Sequence, residues 1–189
     1  MKRRASLLLL LSALLTGCEE DFIPRPKGWP RLDLPEARYE AWSDSAMAAE
    51  VPAYARMIHR RAEAGARWYD MRFAGQRATV HLTYSAVNDN LPQLIEDAHG
   101  FKRKHEAKAS RIRSEHVLRP DARVFGTRFL VEGDVASPCV FYLTDSTDNF
   151  LYGALYFDAP PNADSLAPVT ERLRADIDRF AATLRWSGQ

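Results

Sequence analysis

Cysteine is scarce: Cys18 and Cys139 are the only two in 189 residues. With Cys18 committed to a lipid, Cys139 is alone and no intrachain disulfide can form. Cysteine-based metal motifs, which draw on several thiolates, are excluded with it. A charge excess is missing too, since 26 Lys and Arg face 25 Asp and Glu for a net charge of +1. Bulk electrostatics therefore pull the chain toward neither nucleic acid nor membrane, and any such attraction must come from a local patch. The N-terminal apolar run, Ala5 to Leu15, falls short of the ~20 residues of a membrane-crossing helix. Catalytic signatures are lacking as well: there is no Gly-x-Ser-x-Gly elbow, His-Glu-x-x-His, P-loop, Gly-x-Gly-x-x-Gly or Ser-x-x-Lys. No internal repeat is visible. What remains is a composition of 46% apolar, 27% charged and 11% aromatic residues. That suits one globular domain with a real core and argues against disorder.

The N-terminus carries an address. Lys2, Arg3 and Arg4 precede the apolar run, and Leu15-Thr16-Gly17-Cys18 closes it. Small residues directly before a cysteine read as a lipobox, with residues 1–17 as a lipoprotein signal peptide. Cys18 then becomes the first mature residue, joined by a thioether to a diacylglycerol. An ordinary secretory signal and an uncleaved anchor are the alternatives; the cysteine itself favours the lipoprotein. One acyl chain holds a protein marginally, and several hold it firmly.

Residues 18–42 read as a lipidated N-terminus, Pro-rich tether and surface segment, and 43–189 as a single α+β domain. Pro24, Pro26, Pro30 and Pro35 disfavour helix. Residues 19–31 reach at most ~45 Å when extended. Trp29, Leu32, Leu34, Tyr39 and Trp42 are apolar enough to pack along the domain or to meet a partner. A first strand is expected at 50–55. Alternation predicts strands at 68–73 and 78–84, with Gly75 in the hairpin between them. Leu91, Leu94, Ile95, Ala98, Phe101 and His105 predict a helix capped by Asn90. Strands follow at 110–118, 122–132, 138–145 and 149–158. The last two are nearly continuous apolar runs, so both sheet faces should be covered. A final helix is expected, capped by Asp164 or Ser165, with Pro168 in its first turn. Its stripe is Leu166, Val169, Leu173, Ile177, Phe180 and Leu184, and Arg172–Asp176 and Arg174–Asp178 are expected as pairs on its outer side. The order, three strands, helix, four strands, helix, predicts a largely antiparallel sheet flanked by helices.

Candidate chemistry is thin. His59, His81, His99, His105 and His116 show no shared ligand spacing, and no metal or cofactor is expected. Cys139 sits in an apolar strand, as a small buried hydrophobe would. Asp145, Thr147, Asp148 and Asn149 suit a tight turn better than a calcium loop. A dispersed enzyme site around Asp97, His81 and Asp145 has no visible acid–base–nucleophile spacing. Lys102, Arg103, Lys104, Lys108, Arg111 and Arg113 form a basic block. It is either a solvated helix end that suits the helix dipole or a surface for anionic headgroups or an acidic partner. Without interleaved aromatics it does not suggest nucleic acid.

Several stretches together resemble one family. They are Pro-Arg-Pro-Lys-Gly-Trp-Pro-Arg-Leu-Asp-Leu-Pro at 24–35, Leu94-Ile95-Glu96-Asp97, Lys104-His105-Glu106-Ala107-Lys108-Ala109 and Ala136-Ser137-Pro138. The fullest are Phe141-Tyr142-Leu143-Thr144-Asp145-Ser146-Thr147 and Phe150-Leu151-Tyr152-Gly153-Ala154-Leu155-Tyr156-Phe157. Behind a lipoprotein start, these look like the gliding motility lipoprotein GldD family of Bacteroidetes-type bacteria. The resemblance implies a non-enzymatic envelope lipoprotein, needed for gliding and for the linked type IX secretion machinery. It would contact other envelope proteins and hold the membrane through its lipid. No catalytic residues transfer. The element order is similar to a PsbP-like α/β/α sandwich, and fold analogy says little about function. Glu19-Glu20-Asp21 resembles the surface-export signal of such lipoproteins, while a periplasm-facing position suits an assembly role equally. A small-ligand or lipid pocket between sheet and helix is the competing reading.

Overall fold

The computed structural model describes Leu34, residues 36–63 and residues 65–188. Ten strands and two α-helices are seen there: β1 (Tyr39–Ser43), β2 (Met47–Pro52), β3 (Arg56–Glu63), β4 (Ala66–Phe73), β5 (Ala78–Ala86), α1 (Leu91–Glu106), β6 (Arg111–Arg119), β7 (Val124–Glu132), β8 (Cys139–Thr144), β9 (Asn149–Phe157), α2 (Ala163–Thr183) and β10 (Arg185–Trp186). Seven strands form one sheet in the order β3-β4-β5-β9-β8-β7-β6, and β1-β2-β10 form a second. Every pairing is antiparallel. The fold is α+β, as the element order predicts.

Topology decides where the helices lie. α1 carries the chain from β5 to the far edge of the sheet and packs over β8 and β9 on the way. β7, β8 and β9 then meander back until β9 closes against β5. α2 returns across the opposite face, and β10 ends beside β2.

The main core lies under α2. Strand alternation sends Tyr69, Met71 and Phe73, then Val80 and Leu82, to that face. Cys139, Phe141, Leu143, Leu151 and Leu155 join them from the central strands. Val169, Leu173, Ile177 and Phe180 come down from α2, and Met47, Val51 and Trp186 close the core from the small sheet. Fully burying each such side chain contributes about 1.5–3 kcal/mol. Gly153 lies directly beneath the Phe141 ring, where a Cβ would overlap it. A smaller cluster, Phe129, Val140 and Ala154, lies on the face under α1. His99 of α1 packs there, its ring 5.1 Å from that of Phe129.

Four expectations are corrected. Of the strand expected at 50–55, residues 50–52 are the end of β2 and 53–54 a turn leading to β3, and β1 lies before both in the segment expected to be the tether. Five strands, not three, therefore precede α1, and Tyr39–Trp42 belong to a strand. α2 starts a turn early: Asn162 is the cap, its side chain accepting from the Ser165 N–H at 3.0 Å, and Pro168 is internal. The Asn90 side chain accepts from the Asn88 N–H, while its backbone carbonyl accepts from Leu94. The pairs expected outside α2 are not outside. Asp176 is fully buried, and Arg174 donates to the Val131 and Pro138 carbonyls, leaving Asp178 to Arg128.

Candidate functional site

Cys18 and its lipobox residues Leu15, Thr16 and Gly17 lie outside the described residues, as does Trp29. What the structure shows is the place where the N-terminal segment joins the domain. The Arg38 carbonyl accepts from the Ala53 N–H at 2.8 Å. The next side chain, Tyr39, donates its hydroxyl to Asp176 Oδ1 at 2.9 Å. Tyr54, in the turn before β3, donates to Asp176 Oδ2. Arg172, one turn earlier on α2, donates from Nε to the Tyr54 hydroxyl at 3.0 Å and stands 3.5 Å from Asp176. Asp176 thus holds two phenols and a guanidinium in a buried knot. Burial and the facing carboxylate push the Tyr54 hydroxyl well above its ordinary pKa, so it is a permanent donor at neutral pH.

A second carboxylate pins the same hairpin. Asp44 accepts from the Ala46 and Met47 N–H groups with one oxygen and from the Tyr69 hydroxyl with the other. Burial opposes its charge, but these donors outweigh it and hold the carboxyl below its ordinary pKa. Trp42 packs edge-on against Tyr69, with ring centroids 5.5 Å apart. It is half-buried, so it belongs to the packing of the hairpin more than to an open aromatic patch.

Sequence reasoning missed the Asp176 knot, although a signal was there. Asp176 stands three residues after Leu173 and four before Phe180, within the stripe that points to the core.

The basic block is divided between the two sides of the large sheet. Arg103 is on α1 and donates to Glu96 at 2.7 Å. Arg111 and Arg113 alternate onto the α2 side at the opening of β6, and Arg113 approaches Glu132 at 3.6 Å. Lys108 is exposed between them, and the side chains of Lys102 and Lys104 lie outside the described residues.

A notch of about 580 Å³ opens between the ends of β6 and β7 and the first turns of α2. Its wall mixes Arg113 and Arg174 with Glu132, Asp134, Asp164 and Glu171. It is open and charged, whereas small-molecule sites are mostly enclosed and apolar. Arg174 is already spent on two backbone carbonyls.

The other candidates have structural partners. Asp145 Oδ1 accepts from the Thr147, Asp148 and Asn149 N–H groups at 2.9–3.0 Å, and Oδ2 accepts from the Asn149 side chain at 2.7 Å. Burial raises its pKa, and these four bonds more than reverse that. Arg123 donates into the same turn through Thr147, which opposes a cation there. Asp97 accepts from Gln93. His81 meets Asp70 at 2.7 Å on an exposed strand face. Cys139 is fully buried, and burial pushes its thiol up to about 12, far from a reactive thiolate. Among the described residues no three His, Cys, Asp or Glu side chains converge as a metal site.

The comparison with known families turns on this same domain. The family described as gliding motility lipoprotein GldD matches residues 19–186, beginning directly after Cys18. The chain belongs to the GldD family. The GldD match takes in both sheets, both helices and the segment leading to them. Membership makes it a gliding motility lipoprotein by family, which implies a membrane-anchored envelope protein. No described helix is long and apolar enough to cross a membrane. No curated protein matches the chain.

Proposed function

We propose that this GldD-family chain is a non-enzymatic accessory of the gliding apparatus and of the linked type IX secretion machinery. It is held to the membrane by lipid at Cys18 after removal of residues 1–17, and it works through contacts with other envelope proteins. The observation that carries this reading is the family match across residues 19–186. It is supported by the commitment of Asp145, Asp97, His81 and Cys139 to local structure. The interface between α2 and the sheet supports it too, because among the described residues it is filled by Leu173, Ile177 and Phe180.

Deleting the gene should stop surface movement and reduce the proteins secreted to the medium, and the intact gene should restore both. Normal movement and normal secretion in the deletion strain would overturn the proposal.

A further inference from the structure

One face of the large sheet is only half covered. α1 lies over β8 and β9, and among the described residues Arg56, Arg60, Arg61, Arg72 and His81 are exposed beyond it, with Trp68 half-buried between them. The register sets Arg56 directly opposite Arg72 and Arg61 directly opposite Trp68. A bulge between His59 and Arg61 turns Arg60 to the same side, where it stands 3.5 Å from Asp70. Arg60 and Arg61 are 62% and 69% exposed, and the Arg61 guanidinium lies 5.7 Å from the Trp68 ring centroid. Toward α1, Tyr152 and Tyr156 flank the small Ala154, leaving a hollow of about 380 Å³ that His81 and Thr83 complete.

The charge on this face is not balanced within it. Asp70 is shared by Arg60 and His81, and Glu63 is held by Arg61. Arg56 and Arg72 have no ion pair among the described residues, and like charges directly opposite on a sheet destabilise it. Charges on an edge strand do block unwanted pairing. That accounts for β3, but not for Arg72 and Trp68 on β4 or the tyrosines of β9.

The chain enters the domain beside this edge. Arg38 is bonded to Ala53, three residues before Arg56. Residues 18–36 span at most ~60 Å when extended, so a lipid at Cys18 keeps the domain, this edge included, within reach of a bilayer.

We infer that this arginine–aromatic face docks on an anionic lipid surface. The inference rests on the lipid-anchored reading for what holds the domain near the membrane. Guanidinium groups match phosphate oxygens in two-bond geometry. Tryptophan and tyrosine favour the headgroup level, where one end of the ring is apolar and the other wet. An acidic protein would satisfy the arginines as well, but the anchoring of the chain beside this edge favours the lipid surface.

The test uses the mature chain from residue 18 with Cys18→Ala, so that no lipid is attached. It should sediment with vesicles of phosphatidylglycerol and phosphatidylcholine, and not with phosphatidylcholine alone. Arg56→Gln and Arg72→Gln should each weaken binding about fivefold, and salt should weaken it further. Arg111→Gln, on the other side of the sheet, should leave it unchanged. Circular dichroism checks folding, which removal of an Arg–Arg opposition does not threaten. Equal binding to neutral vesicles, no binding to either, indifference to Arg56→Gln with Arg72→Gln, or binding to soluble polyglutamate in place of vesicles would each overturn the inference. The protein tested carries no lipid, so failure here leaves the anchor at Cys18 untouched.

Discussion

Asp145 shows how a residue that looks chemical can be structural. Its carboxylate gathers three backbone N–H groups and the Asn149 amide, and those bonds keep its folded pKa below the ordinary carboxylate value. A depressed pKa means the stabilisation is fully present above the unfolded value of ~3.9 and is lost as pH falls through the folded one. Chemical denaturation followed from neutral to acid pH should therefore show stability falling below about pH 4. Asp145→Asn should be less stable at neutral pH by about 1–3 kcal/mol and lose less of its stability in acid. Gly153 makes a different demand, for space. Gly153→Ala should cost about 1–3 kcal/mol through overlap with the Phe141 ring. Adding Phe141→Leu should recover part of that loss, and a denaturant-unfolding double-mutant cycle reads the coupling.

At the scale of elements, arginines and tyrosines fasten α2 to what surrounds it. Arg119 donates to the Ala181 and Leu184 carbonyls at its C-terminal end, and Arg128 joins Asp178 to Glu115 of β6. On the other flank Asp176 takes Tyr39 and Tyr54. Tyr39→Phe should speed hydrogen exchange at the β1 amides while leaving β5 and β9 protected, because the lost tie joins the hairpin to α2 and touches neither of those strands. Tyr54→Phe should cost about 1–3 kcal/mol in denaturant unfolding, since a buried carboxylate loses a donor. These ties explain which parts of the fold were legible in the sequence. β4, β5, β8 and β9 alternate or run apolar, and glycine or Asp-rich turns punctuate them, so their positions could be read directly. β1 and β2 are short: the prolines before β1 hid it in an apparent tether, and only the end of β2 reads as a strand. The knot was hidden because Arg172 and Asp176 stand at the spacing of an exposed i,i+4 pair. Only the arrival of Tyr39 and Tyr54 from 137 and 122 residues away makes the carboxylate internal.

For the whole molecule, the sequence spoke most clearly about address. With Cys18→Ala, the protein should be lost from membranes after a carbonate wash, because the run from Ala5 to Leu15 is too short to span a bilayer; retention would overturn the lipid anchor. The basic block is the counterexample. Contiguous in sequence, its described members divide between α1 on one face and β6 on the other. The arginine–aromatic face is the reverse case: its members are scattered from Arg56 to Tyr156, and only strand register gathers them.

The knot around Asp176 also has a mechanical meaning. Under the proposed role at the membrane, load applied through the N-terminal segment would reach Arg38 and Tyr39 first. At that point the chain is tied to the turn before β3 and to the middle of α2. A pull there loads the Tyr39–Asp176 bond to α2 together with the first rungs of the β1–β2 hairpin.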